Sequence, residues 1–400
     1  MTQKILVIPE GNWLAHTSRA LCVALKLREA GAHVVFACSG THSNLPRLHG
    51  FETYPLTTKE GKWGLSRARL VGSSYTPRIV RKYIRDEIDI IRRIKPCAVL
   101  GDFRITLGTS TEFTDTQYIA LINSYWTPFY SGIKPVSQTL GIMKLFGPRF
   151  KPFLFPTVRK LLECILTIPF NFVRKHLGLS PYRNIYDVLS SRDHNLLVDL
   201  PEFMPVSKLS HRYRYIGPIL WEPPIDDPPW MNHLPGRRPS CYVTLGSTGE
   251  LDGLMDLLKL LAAKGWFSIV SGDLTERDLS LGLASNIVTA RLVPGLRVAR
   301  HVDLVVCHGG NGTIYQSLAN GKPVVALPTN YDQEINAAQL AFLELGKVVL
   351  PRRTMHCEVV DAMEEVLFDS RYGANARRMS ALISRYDAAA TAANFLMKIC

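Results

Sequence analysis

LVVCHGGNGTIYQSLANGKPVVALPTNYDQEINAAQ, residues 304–339, holds two short apolar runs, each followed by a polar turn and helix-forming sequence. An apolar run of four to eight residues bounded by turn signals fits a strand buried on both faces. The first run ends at Val306, and the spacing predicts a helix from about Thr313 to Ala319 with Gly321 as its stop. The second ends at Leu327, with Asp332 and Gln333 at the mouth of the next helix. Strand, helix, strand and helix in this order imply a parallel sheet with crossover helices. Such sheets gather ligands at the carboxyl ends of their strands.

Glycines 309, 310 and 312 occupy the first of those ends. Without side chains, their backbone lets amides approach an anion closely. A helix start adds unpaired N–H groups and about half a positive charge. The turn therefore reads as an anion seat with phosphate as its usual occupant, and His308 can donate a further hydrogen bond. No Gly-Lys-Ser/Thr follows, so this is not a Walker loop, and Gly310-x-Gly312 lacks the third glycine of a dinucleotide fingerprint. At the second strand end, Asp332 and Gln333 suit the vicinal hydroxyls of a sugar ring, whereas Asp332 would repel a phosphate. The plain alternatives are a tight turn for the glycines and a helix N-cap for Asp332.

The same layout recurs along the chain. KILVIP, TSRALCVALKLREAG and HVVFA open the first half as strand, helix and strand; SCYVTLGS, LDGLMDLLKLLAAKG and FSIVSG open the second. CAVLGDF and YIALINS add further apolar strands to the first half. Between the halves, IGPILWEPPIDDPPWMNHLPGRRPS (216–240) carries seven prolines and no apolar periodicity, which marks a linker. Four hundred residues exceed one core, so two α/β domains are expected: 1–215, and 241–375 after the linker 216–240. The tail 376–400 is expected to form a C-terminal helix packing back on the first domain.

The net charge of +13 is uneven. Residues 1–215 hold 30 Lys and Arg against 15 Asp and Glu, and the remainder is slightly acidic. A basic half points to an acidic partner or to a merely solvated face. Within it, residues 134–175 interleave eight basic residues and one acid, Glu163, with Phe, Leu and Ile. Two roles fit: a surface lying on an anionic membrane, or helices walling an apolar acceptor pocket. No stretch approaches the ~18 apolar residues of a membrane span, and the N-terminus lacks the apolar run of a signal peptide. The eight cysteines show no metal-ligand spacing and read as reduced core residues of a cytoplasmic protein. That placement leaves room for peripheral attachment to the inner membrane face.

The span 241–350, with VTLGST, RLVPGL and CHGGNGTIYQSLANGKPVVALPTNYDQEINA, resembles the donor half of the UDP-glycosyltransferase superfamily. The resemblance implies the GT-B fold, two Rossmann-like domains with parallel sheets facing across a cleft, and an inverting glycosyltransferase of the kind that modifies natural products or lipids. It implies that Ser247, His308, Gly310, Asn311, Gly312 and Thr313 hold the donor diphosphate, and that Asp332 and Gln333 hold the sugar. Val293, before Pro294, would read the base with its backbone. Two departures stand out: Leu292 replaces the aromatic that usually stacks on the base, with Gly295 for the Gln after the proline. Gln316 replaces the Glu that usually binds the ribose. A UDP-sugar is the expected donor and a dTDP-sugar the alternative. No metal and no resident cofactor are implied.

EGNWLAHTSRALCVALKLREAGAHVVFA resembles the family's first strand-loop-helix, with His16 just ahead of the helix in the place of the catalytic base. Transfer to a hydroxyl requires its proton to leave as the new C–O bond forms, and a neutral imidazole suits that task. Asp102, ending a parallel strand in VLGDF, matches the Asp that orients the base. Trp13 is the candidate acceptor contact. The acceptor is expected to be hydrophobic, and the basic excess favours an anionic one, either a secondary metabolite or a membrane lipid. An NAD-dependent oxidoreductase would need a glycine fingerprint after the first strand, and VIPEGNWLAH supplies none. A non-catalytic nucleic-acid binder would explain the charge, but zinc spacings and aromatic RNA motifs are absent from the sequence.

Overall fold

The computed structural model describes residues 3–58, 75–140, 143, 149–233, 239–244, 253–272, 285–350 and 355–400. The chain forms two compact units, one of residues 1–132, 140–219 and 387–400, the other of residues 133–139 and 220–386. Two parallel-sheet α/β domains were expected, and two are found; the division at Ile219/Leu220 lies within the segment 216–240 read as a linker.

The first unit opens with β1 (Lys4–Pro9), α1 (Leu14–Glu29), β2 (His33–Ala37), α2 (Asn44–Leu48) and β3 (Glu52–Tyr54). It continues through α3 (Pro77–Ile94), β4 (Ala98–Asp102), α4 (Leu107–Phe113), β5 (Gln117–Ile122), α5 (Lys151–His176), α6 (Ile185–Leu189), β6 (His194–Leu197) and β7 (Tyr213–Tyr215). Its strands pair in parallel in the order β3-β2-β1-β4-β5-β6-β7. Ile5, Val7 and Leu100 face α1 on one side, while Leu6, Ile8 and Val99 join Ile90, Ile91 and Ile94 of α3 on the other. Alternate residues of each strand thus feed two cores, which is why the strands are apolar throughout. Helix α3 is well delimited: Thr76 accepts from the Ile79 amide, Pro77 takes the first turn, and Lys95 closes it in the left-handed conformation (φ 51°).

The second unit runs β8 (Ser240–Thr244), α7 (Leu254–Ala263), β9 (Phe267–Ser271), β10 (Ile287–Ala290), α8 (Gly295–Arg300), β11 (Leu304–Cys307) and α9 (Asn311–Ala319). It ends with β12 (Val324–Ala326), α10 (Tyr331–Phe342), β13 (Gly346–Val348), α11 (His356–Phe368) and α12 (Ser370–Ile383). The strand order is β10-β9-β8-β11-β12-β13, again parallel. Arg297 of α8 ties down the linker, donating to Glu222 at 3.2 Å and to Asp227 at 2.5 Å.

The tail is two helices rather than one. Helix α12 ends at Ile383, and Asp387 caps a separate α13 (Ala388–Ile399) by accepting from the Ala390 amide. Only the latter joins the first unit, where Ala388, Ala392, Ala393 and Leu396 enter the core beside α1. This packing corrects the cysteine expectation. Cys400 reaches the start of β4 and forms a disulfide with Cys97, 303 positions away in sequence. A bond made by docking a terminal helix leaves no local spacing to read. Cys164 and Cys357 are exposed, not core. Cys38, Cys241 and Cys307 do fit the expectation as buried thiols, and burial pushes Cys38 up to about 11 and the other two up to about 12, whereas Cys22 is half-buried.

Candidate active site

In each sheet the strand order reverses beside the first strand, between β1 and β4 and between β8 and β11. Loops leaving adjacent strands there diverge to opposite faces and open a crevice at the carboxyl edge.

In the first unit, Pro9 pairs with Asp102 at that edge. Helix α1 begins at Leu14, earlier than its polar sequence suggested, so His16 lies inside the first turn and not ahead of it. Trp13 is the half-buried N-cap residue, with extended backbone and no side-chain capping bond. His16 Nδ1 lies 2.7 Å from Oδ1 of the fully buried Asp102. A carboxylate only accepts, so a proton on Nδ1 would satisfy this contact and leave the Nε2 lone pair open, while Arg19 Nη2, a donor, lies 2.9 Å from the same nitrogen. Phe103, next after Asp102, has φ 56°, a left-handed backbone that bulky residues rarely adopt. Its ring stacks on His16 with centroids 4.8 Å apart and planes 5° apart. Strain of this kind persists where surrounding structure enforces it; here it covers one face of the imidazole.

The sequence singled out neither Phe103 nor Arg19. Arg19 donates from Nε to Asp102 Oδ2 at 2.9 Å, from Nη2 to Oδ1 at 2.7 Å, and from Nη1 to Asn123 Oδ1 at 3.0 Å. Burial disfavours its charge, yet Asp102, with Tyr125 and Asp199 behind it, holds the guanidinium above its ordinary value. The one signal available was its position three residues after His16, the spacing that puts two side chains on one helix face.

In the second unit, α9 begins at Asn311, two residues before the expected start, with Gly310 as an N-cap that offers no side-chain bond. Asn311, Gly312 and Thr313 thus form the first turn. A Cβ on Gly310 would run into His308 Nε2, while one on Gly312 would meet nothing within 4 Å. His308 is 8% exposed, and burial pushes its pKa down to about 4 against a weaker opposing bond from the Thr244 backbone. Near neutrality it is an uncharged donor.

Helix α10 backs this turn. Gly309 has φ 83°, and its carbonyl accepts from Asn336 Nδ2 at 3.1 Å. The N-cap of α10 is Asn330, whose side chain accepts from the Gln333 amide, so Asp332 is not the cap. Gln333 is 3% exposed, its Oε1 accepting from the Thr329 amide and hydroxyl; Asp332 is half-buried one residue before it. Gln316 Nε2 donates to the Trp221 carbonyl at 2.7 Å, which engages the residue expected at the ribose. A Cβ at Gly295 would lie 3.1 Å from Gln316 Oε1, so the glycine makes room for that carboxamide. Val293 is buried, and Leu292, in the place of the stacking aromatic, is 52% exposed. Ser247 lies outside the described residues. Among the described residues, no group of three or more His, Cys, Asp or Glu is placed to hold a metal ion.

Two parallel α/β units, with a glycine-rich turn entering a helix at the switch point of the second, make up the GT-B glycosyltransferase architecture. Residues 295–392 match the glycosyltransferase family 28 C-terminal domain. The chain is 31% identical over 389 residues to the PGL/p-HBAD biosynthesis rhamnosyltransferase of Mycobacterium bovis (strain BCG / Pasteur 1173P2), covering 96% of this chain and 85% of that protein. It shares its fold with the calicheamicin glycosyltransferase (TM-score 0.74, 18% identity, 100% and 98% of the two chains). A spinosyn rhamnosyltransferase complexed with thymidine diphosphate is similar as well (TM-score 0.71, 17% identity, 99% and 100%). The chain belongs to the glycosyltransferase family that includes the mycobacterial PGL/p-HBAD biosynthesis enzymes, and is itself a glycosyltransferase.

Proposed function

We propose that this glycosyltransferase moves a hexosyl group, with inversion and without a metal, from a nucleoside-diphosphate sugar to a hydroxyl of a hydrophobic acceptor. The observation that carries the reading is the 2.7 Å contact of His16 with buried Asp102 at the sheet's switch point. In the reaction, His16 Nε2 takes the acceptor proton as the oxygen attacks the anomeric carbon. The bond from that carbon to the phosphate oxygen breaks, and the nucleoside diphosphate leaves with the electron pair. Charge gathering on the phosphate meets the first-turn amides of α9 and the neutral His308 donor, stabilisation that needs no reorganisation during the step. Asp332 and Gln333 hold the sugar hydroxyls, and the backbone at Val293 meets the base. Trp13 contacts the acceptor.

A UDP-sugar satisfies these groups, but two findings favour a thymidine-diphosphate deoxyhexose. Leu292 offers the base no aromatic face, and rhamnosyltransferases are among the relatives. A lipid or secondary-metabolite acceptor fits the likeness to glycosyltransferases of glycolipid and natural-product sugar transfer.

Helix α5 supports contact with an anionic membrane surface. Phe155, Phe170 and Val173 are buried, while Leu161, Ile165, Ile168 and Phe172 form an exposed stripe at three- and four-residue spacing, with exposed Phe153 eight residues before it and Lys160 and Lys175 flanking it. Among the described residues no helix is long and apolar enough to cross a membrane, so the contact is peripheral.

The test of the base is His16→Ala assayed with dTDP-rhamnose and UDP-glucose on lipid extracts. Loss of the general base lowers turnover by about 10²–10⁴-fold while nucleoside-diphosphate binding stays intact. Turnover near wild type would remove His16 from the mechanism.

A further inference from the structure

We propose that Arg19 is the positioning residue of the His16–Asp102 pair, pinning the carboxylate against Nδ1 and setting a fixed positive charge beside the imidazole. The inference rests on His16 as the base. An open His–Asp pair gains an ion pair when the imidazole takes a proton. Here the carboxylate is already matched: both of its oxygens accept from Arg19, at 2.7 and 2.9 Å, and Asp102 is fully buried. With neutral His16 the three groups carry no net charge, and with protonated His16 they carry one positive charge. Arg19 Nη2 lies 2.9 Å from His16 Nδ1, so the imidazolium forms against a guanidinium.

The charged and titratable groups that act on the Arg19 guanidinium come from several elements. Arg19 itself comes from α1, Asp102 from β4, Tyr125 from the turn after β5, and Asp199 from the exit of β6. Asp199 acts at one remove, accepting from the Ser124 amide at 2.6 Å and from Asn123 Nδ2 at 3.4 Å. Asn123 in turn receives Nη1 of Arg19, so the guanidinium is gripped at three nitrogens. A planar fork held in this way fixes the carboxylate in rotation as well as in place. It keeps Oδ1 beside Nδ1.

The experiment is an NMR titration of the His16 imidazole in the full-length enzyme, alongside the pH dependence of kcat/KM. Arg19→Gln raises the pH at which His16 takes up its proton by about one to two units, the usual effect of removing a like charge at this range. Arg19→Lys, which keeps the charge, stays within about half a unit of wild type. The acid limb of kcat/KM moves with the titration. Should Arg19→Gln not fold, Asp102→Asn is compared with Arg19→Gln/Asp102→Asn, where removing Arg19 again raises the titration. An unmoved titration on loss of Arg19, with only thermal stability lowered, overturns the proposal and leaves Arg19 a structural ion pair. A titration that moves while the acid limb does not supports the role of Arg19 but removes His16 as the base.

Discussion

Two glycines of one turn are expected to fail for opposite reasons when given a methyl group. A Cβ at Gly310 would collide with His308 Nε2 and lie 3.0 Å from Cε1 and 3.3 Å from Cδ2. Real contacts of this kind lie at 3.4–4 Å, so the buried ring must swing away from the helix start. Forcing it into a packed core costs about 1–3 kcal/mol of stability. Withdrawing its donor from a phosphate costs about 1.5–3 kcal/mol of binding, or roughly 10- to 150-fold in Kd. Gly312→Ala meets no neighbour and replaces a helical glycine, which by itself stabilises by up to about 1 kcal/mol. If a diphosphate rests on the bare amides of α9, however, the same methyl intrudes on it. Calorimetric titration with dTDP and UDP, paired with thermal melts, separates the two. Gly310→Ala is expected to lose both stability and affinity, and Gly312→Ala to lose affinity alone. Wild-type affinity in both variants would refute the seating of the diphosphate on this turn.

Asp332→Ala should weaken binding of the intact sugar nucleotide while leaving the nucleoside diphosphate unaffected; equal loss for both ligands would place Asp332 elsewhere. His308 binds its proton less readily folded than unfolded, with its pKa at about 4 against an ordinary 6.5. Its contribution is therefore complete above pH 6.5 and lost as pH falls toward 4, on the order of 3 kcal/mol. Urea unfolding at pH 7 and pH 4.5 should show an acid sensitivity of the second unit that His308→Gln reduces, and an identical sensitivity in that variant would refute the assignment. Phe153→Asp with Ile168→Asp should abolish sedimentation with vesicles rich in phosphatidylglycerol. Binding that persists, or that is equal on phosphatidylcholine vesicles, would assign the exposed stripe of α5 to something other than an anionic membrane.

The strands were legible because each is buried on both faces, so that KILVIP, HVVFA, SCYVT and LVVC had no polar alternation to obscure them. Their parallel pairing then placed His16 and Asp102 on one sheet edge and His308 on the corresponding edge of the other sheet. Helix starts were less legible, and the pattern of error is informative. At α10, α12 and α13 a side chain of Asn330, Asp369 or Asp387 caps the helix, a polar cue present in the sequence although the reading of one tail helix ran past Asp387. At α1 and α9 no side chain does so: the N-caps are Trp13 and Gly310, and the polar cues lie further on.

These are the two helices that carry His16 and the glycine turn. At α9 the uncapped first turn leaves its N–H groups open to an anion, an arrangement that other helices of the chain share without carrying a proposed site. What stayed hidden depends on partners distant in sequence. Arg19 is one basic residue in an apolar helix until Asp102 and Asn123, 83 and 104 positions onward, close around it. Asn336 gains its meaning only when α10 packs under Gly309. Residue type announces the groups proposed to meet substrate; the groups that hold them in place are fixed by long-range packing, and there the sequence offers at most a helical spacing such as that of Arg19 after His16.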